Sequence, residues 1–381
     1  MIADSYFERK EKCPVRTYYK NSSLEDIAHK VETGQRLSGE DGLRLLKSSH
    51  LLELGRMADL VRQRKHGDRV YFILNRHINH TNVCVNRCKF CAFGRDEDNP
   101  GSYTLTLDEI ERKAYDYRGR GITEIHIVGG LNEKLGLDYY CEMLKRVRLA
   151  LPGVIIQSFT AVEIDYLARI NNTSVEKVLS ELKEAGLDSL PGGGAEVFSP
   201  RVRELICPKK MSGQRWLEVH QAAHSLGMRT NATLLYGHVE TMEERIDHLV
   251  KLRNLQDITG GFLAFIPLAF HPRNTQLDHP GKSGTTGYDD LKMLAVSRLM
   301  LDNFDHIKAF WIMIGPKIAQ VSLSFGVNDL DGTVEEEKIV HDAGAETDQR
   351  LPGEEIIRMI KAAGRVPAER DTLYNIIREG F

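Results

Sequence analysis

Short apolar runs alternate with amphipathic segments along most of the chain after residue 66. Seven of these runs have the length and the β-branched or aromatic content of buried strands. They are VYFIL (70–74), EIHIVGG (124–130), VIIQSF (154–159), LDSLPGG (187–193), TNATLLYG (230–237), GFLAFIPLA (261–269) and HIKAFWIM (306–313). Helix-like segments lie between them, and a regular alternation of strand and helix predicts parallel pairing of the strands.

The segment that follows the seventh run predicts a helix, although AQVSLSFG (319–326) is rich in strand-forming residues. Too few residues separate it from the seventh run for a parallel crossover. Pro316 near its start and Gly326 just past its end are typical of a helix. The eighth strand is then the short NDLDG (328–332).

Eight strand–helix units predict an α/β fold, a TIM-like (β/α)8 barrel with helical additions at both ends. We expect residues 1–66 to form an N-terminal helical extension and residues 67–335 to form the barrel. Residues 336–381 are expected to be a C-terminal helical segment packed on the barrel, with helices near 353–364 and 368–379.

The bulk composition is that of an ordinary globular protein. The 381 residues are 41% hydrophobic and carry a formal charge of -3, so nothing indicates a nucleic-acid or membrane-surface partner. The charged N-terminus lacks the apolar stretch of a signal peptide, and the longest apolar run is too short to span a bilayer. Six cysteines in a chain of this length favour a reducing, cytoplasmic location over a disulfide scaffold.

Three of the six cysteines lie within eight residues. The stretch CVNRCKFC places Cys84, Cys88 and Cys91 in the order Cys-x3-Cys-x2-Cys, directly after the first predicted strand. A structural zinc site is one interpretation, with His80 as a fourth ligand. A [4Fe–4S] cluster is the other, since such clusters are held by cysteine thiolates. Three protein ligands would leave one iron open for chemistry.

Other unusual residues also follow predicted strands. Gly129 and Gly130 end the second strand, and Tyr236 and His238 lie at the end of the fifth. In barrels of this kind the chemistry takes place at the C-terminal ends of the strands. These positions are therefore expected to share one face with the cysteine loop.

The cysteine spacing after the first strand of a β/α barrel resembles the radical S-adenosylmethionine (SAM) superfamily. The resemblance implies that Cys84, Cys88 and Cys91 hold a [4Fe–4S] cluster whose open iron chelates SAM. It further implies that one electron from the cluster cleaves SAM to a 5′-deoxyadenosyl radical. Phe90 matches the aromatic position beside the adenine, and VGG (128–130) matches the glycine pair that meets the methionine amine. LLYGHVE (234–240) is similar to the adenine-contacting segment, which includes Tyr236 and His238.

The wider sequence resembles the aminofutalosine synthases. Segments that carry the likeness include NRHINHTNVCVNRCKFCAFGRDE, TEIHIVGGLN, FTAVEIDYLA, NATLLYGHVETMEERIDHL and HIKAFWIMIGPKIAQVSLSFGVNDLDGTV. One departure is Gly94 in the cluster loop, where a serine is expected. The resemblance implies a transferase of menaquinone biosynthesis by the futalosine pathway. Its radical would add to 3-[(1-carboxyvinyl)oxy]benzoate, and aryl migration and decarboxylation would give 6-amino-6-deoxyfutalosine.

A substrate with two carboxylates needs charge-assisted partners in a buried site. Residues near the strand ends that could serve are His271, Arg273 and Asn231. An unidentified low-potential electron donor is a further expected partner, and the sequence leaves the oligomeric state open. The alternatives are a dehypoxanthine futalosine cyclase, an FO-synthase-like radical SAM enzyme and, more remotely, a non-catalytic zinc-stabilised barrel.

Overall fold

A computed structural model describes residues 22–279 and 284–381 of the chain. Three helices come first: α1 (Glu25–Thr33), α2 (Gly39–Lys47) and α3 (Leu51–His66). Their apolar faces are buried, and α3 packs on a helix of the barrel. Residues 1–21 of the predicted N-terminal extension lie outside the described residues. The division of the chain into three segments stays a prediction.

Seven parallel strands form one curled sheet, in the order of the chain. They are β2 (Asn75–Ile78), β3 (Glu124–Ile127), β4 (Ile155–Ser158), β5 (Ser189–Leu190), β6 (Arg229–Tyr236), β7 (Phe262–Ala269) and β8 (His306–Ile307). The register aligns His77, His126 and Gln157 across three neighbouring strands. Side chains two residues apart point to the same face of a strand, so polar groups at matched positions gather on the inner face of the barrel. The predicted TIM-like α/β class is confirmed.

Helices connect these strands and cover the outer face of the sheet. Up to β8 they are α4 (Leu107–Asp116), α5 (Leu137–Ala150), α6 (Ala161–Ile170), α7 (Val175–Ala185), α8 (Pro200–Ile206), α9 (Gly213–Ser225), α10 (Met242–Thr259) and α11 (Gly287–Met300). After β8 come α12 (Trp311–Ile314), α13 (Pro316–Val321) and a short 3-10 turn (Ser322–Ser324). The prediction of a helix after residue 315 is thus confirmed.

The first apolar run is a strand, but not the one that precedes the cysteine loop. VYFIL forms β1 (Arg69–Ile73), which belongs to a second, four-stranded sheet. The order of that sheet is β11 (Ile376–Glu379), β10 (Val366–Arg370), β1 and β9 (Asp329–Gly332). The first strand of the seven-stranded sheet is β2, whose sequence NRHI has no apolar run. The prediction was wrong because Asn75 and His77 point into a polar interior, so β2 lacks the pattern of a buried apolar strand.

The predicted eighth strand exists as β9 (Asp329–Gly332). It pairs in parallel with β1, and a bridge between Lys308 and Asp329 joins it to the end of β8. A second bridge, between Arg76 and Glu335, links β2 to the segment after β9. Strand β9 therefore joins the two sheets, because it pairs with β1 on one side and with the end of β8 on the other.

The C-terminal segment differs from its prediction. A short helix α14 (Ile339–Asp342) and then α15 (Gly353–Ala362) follow β9, so the helix predicted near 353–364 is confirmed. The helix predicted over 368–379 is wrong, because that stretch forms β10 (Val366–Arg370) and β11 (Ile376–Glu379). Strand β10 pairs in parallel with β1, which lies far away in sequence, and this long-range pairing overrides the local helical pattern.

Within the two described ranges, no helix combines the length and the apolar character needed to cross a lipid bilayer.

The core is a continuous apolar layer between the sheets and the surrounding helices.

Candidate active site

One cavity of about 350 Å³ opens at the C-terminal ends of the strands and reaches into the barrel. Cys84, Cys88 and Cys91 line its upper part, together with Phe90. All three cysteines are free thiols. The loop that follows β2 therefore presents its thiols to one cavity, as the sequence predicts for this face of the barrel.

Backbone hydrogen bonds hold the cysteine loop in place. The Cys84 N–H donates to the Arg95 carbonyl at 3.0 Å, and the Cys91 N–H donates to the Cys88 carbonyl at 3.0 Å. The Arg87 guanidinium donates to the Gly94 carbonyl, which ties the two ends of the loop together. Arg87 adopts a left-handed backbone conformation, with φ of 47°, which turns the chain sharply between the first two cysteines.

The glycine pair after β3 packs directly against this loop. A Cβ atom at Gly130 would lie 2.2 Å from the Val83 carbonyl oxygen and 3.0 Å from the Cys84 Cβ atom. At Gly94 a Cβ atom would lie 3.5 Å from the Cys84 Cβ atom, which is an ordinary contact. The close approach at Gly130 therefore requires glycine, whereas the space at Gly94 accepts a small side chain.

A buried ion pair lies beside the cysteines. The Lys210 ammonium donates to Glu196 at 2.6 Å and stands 5.2 Å from the centre of the Phe90 ring. Burial raises the pKa of the Cys88 thiol to about 12, and the positive charge of Lys210 acts in the opposite direction. The free thiol is therefore protonated at neutral pH, and binding of a metal at this residue would release a proton.

Glu163 is a buried carboxyl group at the rim of the glycine pair. It accepts a hydrogen bond from the Gly129 N–H at 3.3 Å, and its other oxygen accepts from the Thr160 N–H at 2.7 Å. Burial raises its pKa to about 7, while these hydrogen bonds act to lower it. A cation bound in the cavity would strongly stabilise the carboxylate form of Glu163.

The lower part of the cavity has one polar wall and one apolar wall. On the polar side the rings of His77 and His126 stack with centroids 4.5 Å apart, and Lys308 donates to Asp331 at 3.1 Å. Burial lowers the pKa of both histidines, so both are neutral. The apolar wall is formed by aliphatic and aromatic side chains: Leu235, Ile266, Leu268, Phe310 and Met313.

The structure brings most of the sequence-predicted site residues together. Phe90, Gly129, Gly130, Asn231 and His271 line the same cavity as the three cysteines. The His271 ring contacts the Met313 carbonyl at 2.9 Å through Nε2.

Three predicted residues lie elsewhere. The Tyr236 hydroxyl is buried in the barrel wall and donates to Asp290 at 2.7 Å. The His238 ring is also turned away from the cavity, with Nε2 at 3.0 Å from the Leu235 carbonyl. Arg273 has an exposed side chain that pairs with Glu346 on the surface. None of the three lines the cavity, whereas Leu235 of the same segment does.

His80, the fourth ligand in the zinc interpretation, is fully buried beneath the glycine pair. A Cβ atom at Gly129 would lie 2.5 Å from its ring, and its other face meets the edge of Tyr140. In the part of the chain that the structure describes, no three His, Cys, Asp or Glu side chains are placed to ligate one metal ion. Thiolates that hold a cubane cluster are spaced differently, because each binds a separate iron atom.

Sequence reasoning missed Lys210, Glu163 and Lys308 as cavity residues. Two of them carry a usable signal. Glu163 stands three residues after Thr160 in a T-x-x-E capping pattern that directly follows a strand. Lys308 is the one Lys, Arg, Asp or Glu in the predicted strand HIKAFWIM (306–313), so it interrupts an otherwise apolar run.

Comparison with known proteins agrees with this geometry. Residues 78–252 match the family model of the radical SAM superfamily, and residues 259–379 match that of the CofH/MqnC C-terminal region. Methylornithine synthase, a solved structure, superposes with a TM-score of 0.71 at 20% identity over 90% of this chain and 97% of that one. This structural likeness shows the fold alone.

Curated relatives are closer in sequence. The aminodeoxyfutalosine synthase of Thermus thermophilus is 48% identical, over 94% of this chain and 97% of that protein. The one of Streptomyces coelicolor is 42% identical, over 93% and 94%. A 5-amino-6-(D-ribitylamino)uracil–L-tyrosine 4-hydroxyphenyl transferase of Methanopyrus kandleri is 41% identical, over 82% and 85%.

The fold and the cysteine-lined cavity are those of a radical SAM enzyme of the transferase type. Within that superfamily, the chain belongs to the family that contains the aminodeoxyfutalosine synthases and the 4-hydroxyphenyl transferases. The resemblance drawn from the sequence motifs is confirmed.

Membership in this superfamily implies a [4Fe–4S] cluster and SAM, and the residues present fit both. Three free thiols face one cavity. Because Gly130 has no side chain, the segment after β3 packs directly against the cysteine loop. Lys210 and Glu163 supply one positive and one negative group beside the thiols, which suits the carboxylate and the ammonium of an amino acid.

Proposed function

We propose that the chain is an aminodeoxyfutalosine synthase that acts on 3-[(1-carboxyvinyl)oxy]benzoate in menaquinone biosynthesis. The observation that carries this proposal is the single cavity that joins the three-cysteine loop to a polar wall and a facing apolar wall. A small aromatic carboxylate needs both surfaces, since its ring is apolar and its charges require partners. The curated relative at 48% identity supports the same reaction.

In this proposal Cys84, Cys88 and Cys91 hold the cluster. The backbone of Gly129 and Gly130 meets the methionine end of SAM, with Glu163 towards its ammonium and Lys210 towards its carboxylate. When bound, the cluster would supply the electron for reductive cleavage of SAM, and the adenosyl group would be transferred to the enol-ether double bond of the substrate.

The chain itself binds, orients and shields the reactants. The apolar wall beside Leu235 and Phe310 packs on the benzene ring and keeps water from the reacting carbons. The Glu196 carboxylate holds Lys210 in place through a buried ion pair. Glu163 is fixed by the capping hydrogen bonds of α6, so its second oxygen is held at the glycine pair before any ligand arrives.

A second candidate function is 4-hydroxyphenyl transfer from tyrosine. Relatives with that name reach 43% identity over 87% of this chain, which is close to the value for the synthases. The two reactions differ in the fate of the adenosyl group. The synthase reaction incorporates it into the product, whereas abstraction of a hydrogen atom would release 5′-deoxyadenosine.

The proposal is tested with protein purified without oxygen and reconstituted with iron and sulfide. It is mixed with SAM, a strong reductant and either 3-[(1-carboxyvinyl)oxy]benzoate or tyrosine plus 5-amino-6-(D-ribitylamino)uracil. Mass spectrometry follows the products. We expect a species that contains the adenosyl group plus the benzoate substrate minus carbon dioxide. Consumption of tyrosine with release of 5′-deoxyadenosine, and no adduct from the benzoate, would assign the second function instead.

A further inference from the structure

The deep end of the cavity contains hydrogen-bonding groups that the proposed cluster and SAM sites do not use. His126 lies on β3 and Gly129 three residues after it, which places the glycine pair about 10 Å further along an extended chain. His77 and Lys308 lie at the same deep end, on β2 and just after β8. A reactant that touches both ends of the cavity must therefore span the barrel interior.

The Lys308 ammonium group makes fewer hydrogen bonds than it has N–H donors. Its side chain is 7% exposed, and Asp331 is the one hydrogen-bond partner recorded for it among residues 22–279 and 284–381. An ammonium group has three N–H donors, so two remain for a ligand. Asp331 itself has a left-handed backbone conformation, with φ of 62°, and its Oδ1 atom accepts from Lys308 at 3.1 Å.

Two neighbours add further donors. His77 is buried, and the described part of the chain offers its ring no hydrogen-bond partner, only the stacked ring of His126. Asn231, on β6, is 5% exposed, and its amide Nδ2 carries two N–H donors. Donors that face the cavity gain charge-assisted hydrogen bonds when a carboxylate binds.

The other charged groups at the deep end already have hydrogen-bond partners. Glu124 accepts hydrogen bonds from Asn75 at 3.0 Å and Thr372 at 2.8 Å. Asp329 pairs with Arg370 at 2.7 Å. Lys308 is thus the group whose charge can be shared between Asp331 and an incoming anion.

The other basic residues that line the cavity within the described chain are Arg87 and Lys210. Arg87 is bonded within the cysteine loop, and Lys210 stands beside Cys88 with Glu196. Both belong to the end of the cavity where SAM would react. A carboxylate far from the reacting carbon therefore has Lys308 as its cationic partner.

We propose that Lys308, His77 and Asn231 form the subsite that binds the carboxylate on the benzene ring of the substrate. The inference rests on the proposed function and extends it, because it fixes which way the substrate enters. The ring carboxylate lies at the deep end, the ring lies against the apolar wall, and the enol-ether carbon faces the glycine pair. This orientation places the reacting double bond next to SAM.

The test measures equilibrium binding and needs no turnover. Reconstituted protein is titrated without oxygen with 3-methoxybenzoate and, separately, with 3-methoxybenzamide, a neutral probe of the same shape. We expect the wild type to prefer the benzoate by about tenfold or more, the range of a charge-assisted hydrogen bond. Lys308→Met should remove this preference and leave binding of the amide unchanged.

Three further variants make the result decisive. Lys308→Met leaves Asp331 buried without its partner, so the double variant Lys308→Met/Asp331→Asn removes both charges together and is the version expected to fold best. Lys251→Met, at an exposed lysine on α10 outside the cavity, controls for loss of a lysine and should bind both probes like the wild type. His77→Phe, which keeps the ring stack, should weaken benzoate binding by a smaller factor.

The outcomes separate this inference from the proposed function. If the double variant keeps the wild-type preference for the benzoate, the subsite is wrong, whatever product the enzyme makes. If the preference depends on Lys308 but the wild type forms no adduct from the benzoate substrate, the subsite stands and the proposed reaction is wrong.

Discussion

At the scale of single residues, the close contact between the glycine pair and the cysteine loop is the tightest constraint in the site. An alanine at 130 would place its methyl group 2.2 Å from the Val83 carbonyl oxygen, a backbone atom that cannot move alone. The loop would shift, and Cys84 with it. The geometry of the thiols therefore depends on a residue that has no side chain.

Gly130→Ala is predicted to lower the iron content of the reconstituted protein by about half or more, because a ligand displaced from its position costs metal affinity. The matched variant is Gly94→Ala, whose methyl group meets Cys84 at an ordinary distance of 3.5 Å. Iron and sulfide analysis compares the two, with Cys88→Ala as the reference for a lost ligand. Equal iron in Gly130→Ala and Gly94→Ala would contradict the role given to this contact. Gly94→Ser should also retain its iron, so the departure at this position is compatible with the cluster.

Local sequence could predict some site residues and not others. Cys84, Cys88 and Cys91 are recognised by their spacing alone, and Gly129 and Gly130 by their place after a strand. Lys308 and its partners come from strands far apart in the chain, so their meeting depends on the closed barrel. Arg273 was predicted to bind substrate because it is an arginine that follows a strand. Its side chain instead lies on the surface.

At the scale of elements, the C-terminal hairpin completes the second sheet. Strand β10 pairs in parallel with β1, and Arg370 of β10 makes a buried ion pair with Asp329 of β9. The Arg370 side chain is 1% exposed and also stacks over the Tyr374 ring at 4.1 Å. Arg370 therefore links the hairpin to β9, the strand whose Asp331 lines the cavity.

Arg370→Ala is expected to destabilise the protein by about 3–5 kcal/mol, because it leaves the buried Asp329 carboxylate without its partner. The control is Glu379→Ala on β11, which removes an ion pair with Arg69 whose two side chains are each about one-third exposed, and should cost about 0–1 kcal/mol. Denaturant unfolding of the cluster-free protein measures both. A loss for Arg370→Ala no larger than that for Glu379→Ala would show that the buried pair does not hold the hairpin.

The segment after β9 contains a pH-dependent contact. A hydrogen bond with Glu337 raises the pKa of His341 to about 9, above its ordinary value of 6.5. A raised histidine pKa stabilises the fold below pH 6.5 and stops doing so as the pH rises through 9. His341→Gln should therefore lower the melting temperature by about 1–2 °C at pH 6 and hardly at all at pH 10. Thermal unfolding of the wild type and the variant across this pH range is the measurement. A difference in melting temperature that does not change with pH would contradict a role for the ion pair.

The elements that the sequence predicted correctly are those whose signal is local. Strands β3, β4, β6 and β7 have apolar runs, and α13 has the proline that marks a helix start. Strand β2 was missed because its inward side chains are polar, and β10 because its pairing partner lies about 300 residues away. Both errors arise where the environment in the folded chain decides the structure.

At the scale of the whole molecule, seven parallel strands leave one side of the barrel to be completed by β9 and the segment that follows it. This side contributes Asp331, Glu337 and Val340 to the cavity lining. The parts matched by the two family models, residues 78–252 and 259–379, therefore meet around one cavity. The cysteine loop comes from the first part and Lys308 from the second.

The central claim is that the adenosyl carbon becomes bonded to the substrate. It is tested most directly with SAM that carries carbon-13 at the 5′ position, incubated with the reduced, reconstituted enzyme and 3-[(1-carboxyvinyl)oxy]benzoate. Carbon-13 NMR then reports the environment of the label. The predicted result is a methylene carbon bonded to another carbon of the product. A labelled methyl group, the signal of 5′-deoxyadenosine, with the benzoate unchanged would contradict the account.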